Sequence, residues 1–209
     1  SSQKKTKKET DNWISMADLK KIVNKHKRSV KELGLDKKDS WTKSDMQLYQ
    51  MYMVGVLYTE YPPLRNDYSH MDIISENDFK KLKKKENNFL VIISRNKKYF
   101  SLSSYKTEKQ YGNKIIDIDS KLNTIINKWL AHNTTGFFLV NSKNTSLSDN
   151  SLTKLLNKIF ISSKKKISST LIRHVYLSEK YENTQAQMES DADIMGHSVQ
   201  TQQNIYVKK

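Results

Sequence analysis

The sequence predicts a mainly α-helical domain carrying a small antiparallel three-stranded β-sheet. Three observations predict it. Apolar residues keep helical spacing in the first third of the chain, short runs of β-formers replace them in the middle, and helical spacing returns after residue 120. At 209 residues the chain is long enough for one domain with a substantial core. Residues 1–12, "SSQKKTKKETDN", are polar and aperiodic. They read as a disordered basic tail or the remnant of a linker, with the ordered domain expected over 13–209.

Each element has its own signal. Ser15 followed by Asp18 marks a helix start, and Leu19, Ile22, Val23, Val30 and Leu33 continue the spacing until Gly34. A second helix opens at Thr42 with Asp45, carries "MYMVGVLY" and stops before Pro62 and Pro63, which cannot continue it. So apolar a stretch reads as a buried central helix. "NFLVIIS" (88–94), "KYFSLSSY" (98–105) and "NKIIDI" (113–118) read as three strands separated by the polar turns "RNKK" and "KTEKQYG". Leu122, Ile125, Ile126, Trp129 and Leu130 form one core-facing helical stripe, and Leu152, Leu155, Leu156, Ile159 and Phe160 form another. "GFFLV" between them reads as a short strand or extended turn. No internal repeat is visible.

A formal net charge of +15 and a pI near 9.7 call for a polyanionic partner. Nucleic acid is the leading class. No run of about 18 apolar residues could span a bilayer, and no segment joins a basic face to a continuous apolar one. The absence of cysteine excludes a disulfide framework, a thiolate metal site and a thiol nucleophile. His26, His70 and His132 lack ligand-like spacing and read as structural or solvent-exposed. Neither a signal peptide nor a cofactor motif is visible. The abundance of Lys, Asn, Ile and Ser is also what an AT-rich genome produces, so part of the basicity is compositional.

The C-terminal "TLIRHVYLSEKY" followed by "IMGHSVQTQQNIY" resembles the tyrosine recombinase (phage integrase) family. In that family an arginine helix, a Gly-His-Ser turn and a tyrosine nine residues after the histidine form one phosphodiester site, and Arg173, His197 and Tyr206 occupy those places. Upstream, "LYTEYPPLRNDYSHMDI" resembles the first arginine motif, with Arg65, and "SYKTEKQYGNKIIDI" the β-hairpin lysine motif, with Lys106. The resemblance spans residues 13–206. It implies the catalytic-domain fold of that family and an enzyme that cuts and rejoins double-stranded DNA through a 3′-phosphotyrosyl intermediate, without metal, ATP or a small-molecule substrate. It also implies an intracellular protein acting wherever its target DNA lies. The assembly it implies is a tetramer on DNA; with so little chain before Trp13 and after Tyr206, a catalytic fragment or a naturally short protein is expected, not a stable tetramer of this chain alone.

The chemistry of these residues suits that site. Metal-free cleavage of a phosphodiester needs a nucleophile, a proton for the departing 5′ oxygen and fixed positive charge around the transition state. Tyr206 can be the nucleophile, although a free phenol is only about 0.1% ionised at neutral pH and needs cationic neighbours. Arg65 and Arg173 offer planar, permanently charged forks for a phosphate clamp. Lys106 has the flexible ammonium of a general acid, the role the family assigns to it. His197 and Tyr206 would lie on opposite faces of one unbroken helix, so the backbone must break between them. Gly196 suits that break, Ser198 can cap a new short helix, and His197 can then donate to a non-bridging phosphate oxygen.

Thr170 departs from the family pattern, which has His, sometimes Lys, three residues before the second arginine. Thr170 shares a helix face with Arg173 but is a neutral donor of shorter reach. Losing one preorganised donor typically costs about a hundred- to a thousandfold in rate, which predicts a slower site. His174 is expected to pack beside the site without reacting. The lysine runs "KKLKKKENN" and "SSKKKISS" read as phosphate-contacting surface, with steep salt dependence. A type IB topoisomerase, a telomere resolvase or a non-catalytic DNA-binding accessory protein would share these features. An AT-rich mobile element, phage or virus suits the composition.

Overall fold

Helix α3 (Lys43–Thr59) runs through the middle of the molecule because nearly all of its second half is apolar. Tyr49, Tyr52 to Tyr58 and Thr59 are all buried in the computed structural model, which describes residues 5–103 and 113–195. Thr42 caps it through the Asp45 amide, and the Asp45 carboxylate returns to the Thr42 amide at 2.9 Å, as their spacing predicts. The helix ends at Thr59, ahead of Pro62. Before it, α2 (Met16–Glu32) starts from the Ser15 cap and stops short of Gly34, which takes the left-handed conformation at φ +60°.

Beyond α3 come β1 (Asp72–Ser75), α4 (Glu76–Lys81), β2 (Phe89–Ser94), β3 (Lys97–Leu102), β4 (Lys114–Asp117), α5 (Ser120–His132), α6 (Asp149–Ile159), a short 3-10 turn (Ile161–Ser163) and α7 (Ser169–Met195). Tyr49 donates to the Ile125 carbonyl at 2.9 Å, and the Trp129 indole donates to Phe138 at 2.8 Å, locking α5 onto the core. Among the described residues, no helix is long and apolar enough to cross a membrane.

The sheet differs from the three antiparallel strands that the sequence predicts. It has four strands in the order β1-β2-β3-β4, and β1 pairs parallel to β2, so the sheet is mixed. β1 escapes the sequence pattern because it is four residues long, and its partners are distant in the chain. α4 supplies the crossover that a parallel pair needs. The β2–β3 and β3–β4 pairs are antiparallel as expected, with Leu90 opposite Phe100 and Phe100 opposite Ile116. "GFFLV" is extended: Phe137 bridges Asp72, and Val140 satisfies its amide and carbonyl on the side chain of buried Gln50, each at 2.9 Å.

The expected tail over residues 1–12 also needs correction, because Lys7–Asn12 forms a helix, α1. A capping box between Thr6 and Glu9 starts it, and α7 and the turn before it hold it: Glu9 meets His174, the Lys166 amide donates to Asn12 Oδ1 at 2.7 Å, and Lys165 reaches the Asp11 carbonyl at 3.2 Å. Its stability is tertiary, which is why no apolar periodicity announces it.

At the α2–α3 crossing, a Cβ on Gly55 would lie 2.8 Å from Cγ2 of Val23, a stiff β-branched side chain with 2% exposure. Gly55→Ala is therefore expected to destabilise the protein by about 1–2 kcal/mol, overpacking outweighing the better helix propensity of alanine. Val23→Ala in the same chain should recover part of that loss. Denaturant unfolding of the four proteins of this cycle checks the coupling.

Candidate functional site

Residues 65–70 form the loop on which the first predicted arginine stands. The buried Tyr58 hydroxyl donates to the Arg65 carbonyl at 2.5 Å, tying the loop to α3 immediately after the two prolines. The Arg65 amide donates to the Asp67 carboxylate at 3.1 Å, and the Ser69 amide returns to the Asn66 carbonyl at 2.9 Å, so short polar side chains build the turn locally. Three further contacts fasten it to separate elements. The Ser169 hydroxyl of α7 donates to Asn66 Oδ1 at 2.8 Å, Asn88 Nδ2 at the start of β2 donates to the Asp67 carbonyl at 3.0 Å, and Ser69 bonds the Asp149 carboxylate at the start of α6.

These elements surround a cavity of about 430 Å³ lined by Arg65, Asp67, His70, Asn88, Asp149 and Thr170, among others. Ser168 caps α7 by accepting from the Leu171 amide at 3.2 Å. The first turn of α7, with Ser169 and Thr170, therefore forms one wall, and the helix dipole favours an anion there. Arg173 lies one turn further on. Burial, then the charge of Arg65, pull its guanidinium below the usual arginine range, while Asp67 and Tyr58 act the other way. The two guanidiniums are thus within electrostatic range of one another. Among the described residues neither forms an ion pair within 4.0 Å, and both are half-buried.

The structure thus brings together Arg65, Thr170 and Arg173 from two regions more than a hundred residues apart. Lys106, His197 and Tyr206 lie outside the described residues. Lys106 belongs to the connection between β3 and β4, and the root of that connection is fixed beside the cavity: the Ser103 amide donates to Asn88 Oδ1 at 3.0 Å, and Ser103 Oγ bonds Asn113 Oδ1 at 3.1 Å. His174, expected to pack, pairs with Glu9 on the outer side of α7.

Asp67, His70, Asn88, Asp149 and Ser169 are among the cavity residues that sequence reasoning missed. Asp67 has the clearest signal, a carboxylate two residues after an arginine, but that spacing also suits an ordinary surface turn. His70 reads as structural or exposed in the sequence; it is exposed, and it faces the cavity.

Compared with protein-family models, curated proteins and solved structures, the chain matches none.

Burial pushes the Asp67 carboxyl above the usual carboxylate range, against the opposing pull of the Arg65 amide and of both guanidiniums. With the folded-state pKa raised, its contribution to stability is full at low pH and lost as pH rises through the folded value. Asp67→Asn keeps an acceptor for the Arg65 amide without the charge. Its melting temperature should exceed the parent's at pH 7, with the difference closing towards pH 3, in thermal unfolding followed across that range.

Proposed function

We propose that this chain carries the catalytic domain of a DNA strand-breaking and rejoining enzyme of the tyrosine recombinase kind. The observation that carries the proposal is an open cavity lined by Arg65 and Thr170, with Arg173 one helical turn beyond Thr170 and within the electrostatic reach of Arg65, and with no ion pair to either arginine within 4.0 Å among the described residues. Two like charges are rarely brought together in a half-buried place unless an anion is to lie between them.

In the proposed reaction, the Tyr206 phenol attacks a scissile phosphorus and loses its proton. The bond to the 5′ oxygen breaks, and Lys106 supplies the proton that makes the leaving group a 5′-hydroxyl. Arg65 and Arg173 neutralise the non-bridging oxygens as charge builds on them, and His197 donates to one of these. The product is a 3′-phosphotyrosyl link, which a 5′-hydroxyl of the same or another strand reverses. Bond energy is conserved in the covalent link, so neither ATP nor metal is required. The lysine runs 83–85 and 164–166 lie just before Asn87 and Ser169, which line the cavity, and this suits phosphates on either side of the reactive one. The proposed partner is double-stranded DNA inside the cell, with any oligomer forming on it.

Asp67 and Asp149 in the cavity, together with Thr170, favour a second reading, a DNA-binding accessory protein that has lost the chemistry. Products separate the remaining enzymatic classes: relaxed circles indicate a topoisomerase, hairpin ends a telomere resolvase and exchanged duplexes a recombinase.

A nicked duplex that releases its short 5′-hydroxyl strand should trap a covalent adduct on the full chain, visible by denaturing gel electrophoresis. Tyr206→Phe should abolish the adduct while still binding the duplex, and Arg173→Ala should slow it by about a hundred- to a thousandfold. Equal duplex binding by parent and Tyr206→Phe, with no adduct from either, would rule out the enzyme. Thr170→His should accelerate adduct formation by about tenfold or more. Binding measured by anisotropy between about 50 and 200 mM salt should weaken by orders of magnitude, the slope falling by about 0.9 for each phosphate contact removed.

A further inference from the structure

We propose that His70 is a phosphate-contacting donor of this site, supplying the imidazole that position 170 lacks; the inference rests on the reading of the cavity as a DNA phosphate site. Four histidines stand among the described residues, and three have evident partners. His26 bonds the Ile159 carbonyl at 2.7 Å, His132 stacks on Trp41 with ring centroids 3.9 Å apart, and His174 pairs with Glu9. The His70 ring makes no hydrogen bond, ion pair or ring contact with another described residue, and it lines the same cavity as Arg65 and Thr170.

The backbone places it there at a conformational cost. His70 has φ +50°, in the left-handed region that side chains seldom adopt. Both neighbours are fixed inward: Ser69 bonds Asn66 and Asp149, and Met71 is buried, with its carbonyl taken by the Phe138 amide at 2.8 Å. The His70 amide itself donates to the Leu147 carbonyl at 2.9 Å. With Ser69 and Met71 both buried, His70 is the exposed side chain of the three, and it lines the cavity.

Charge balance gives this donor work to do. Among the residues that line the cavity Arg65 stands with Asp67 and Asp149, and Arg173 one turn beyond Thr170 adds a second positive charge within reach of Asp67. An arriving phosphate then depends on additional donors. An imidazole donates in either protonation state, and its side chain is longer than that of threonine.

The test must separate a contact with DNA from a residue that merely tolerates a left-handed turn. Asn tolerates that conformation too, so His70→Asn removes the imidazole and leaves the turn. Single-turnover adduct formation on the nicked duplex is compared for the parent, His70→Asn, Thr170→His and the double variant. His70→Asn should react about ten- to a hundredfold more slowly with an unchanged melting temperature. Thr170→His in the same chain should restore most of that loss, because it delivers an imidazole to the cavity from another element. A merely structural defect at residue 70 would not respond to a change on α7. In a Tyr206→Phe chain, which carries no chemistry, His70→Asn should weaken duplex binding about fivefold. Weakened binding in a protein whose parent forms no adduct would keep the contact and overturn the reaction. A normal adduct rate with unchanged affinity in His70→Asn would overturn the contact and keep the reaction, as would a rate loss that tracks a lowered melting temperature and resists Thr170→His.

Discussion

The hydrogen bond from the Tyr58 hydroxyl to the Arg65 carbonyl is the constraint on which core and site both depend. Tyr58 sits in the buried last turns of α3, so its phenol has no water to turn to, and burial holds that proton firmly on the oxygen. Among the described residues, its one acceptor is the carbonyl of the arginine that follows the Pro-Pro break. The base of Arg65 is thereby set by the packing of α3, while its guanidinium remains free to meet a ligand. A rigid base with a reaching tip is what a phosphate clamp requires, since misplacement by about 1 Å is costly where charges must converge.

The same logic fixes Arg173 from the other direction. α7 is held on its inner side by Ser169 bonding Asn66, and on its outer side by Glu9 bonding His174 and by Glu179 accepting from the Met16 amide at 2.9 Å. Arg173 lies between those fastenings. The short helix α1 thus belongs mechanically to the site, although it contributes no side chain to the cavity. With both arginine bases immobilised, the repulsion between their guanidiniums cannot relax by backbone movement, and Asp67 offsets it in the free protein.

What could be read from the sequence follows from how local each determinant is. The caps at Ser15 and Thr42 lie within one turn, and the apolar stripes of α2, α3, α5 and α6 repeat within two, so spacing alone locates these helices. β1 could not be found that way: its four residues gain meaning only from Phe89 to Ile92 alongside and Phe137 across. α1 carries a legible capping box but depends on α7 for its stability. In the candidate site, Arg65 and Arg173 stand out through their motifs. Asp67, Asn88 and Ser169 did not stand out, because short polar residues beside turns have many local partners to choose from. Only the folded chain shows that each bonds across elements: Asn88 joins the Arg65 loop to Ser103, and Ser169 joins it to α7.

Global and local charge play different parts. The surplus of +15 is spread over the surface and acts at long range, raising the encounter rate with any polyanion while specifying nothing about geometry. At the cavity there is no such surplus, because Asp67 and Asp149 line it with Arg65, and Arg173 lies one turn beyond Thr170. On the proposed function, a phosphate drawn by the far field meets no strong local excess of positive charge there, and its retention would turn on directed donors: two guanidinium forks, the first turn of α7, the Thr170 hydroxyl and the His70 ring. Directed donors reward one placement of the phosphate over its neighbours, which diffuse charge cannot do. On the proposed function, surface lysines would govern how tightly the chain holds a nucleic acid, and the cavity would govern which phosphate along the backbone comes to rest beside Arg65 and Arg173.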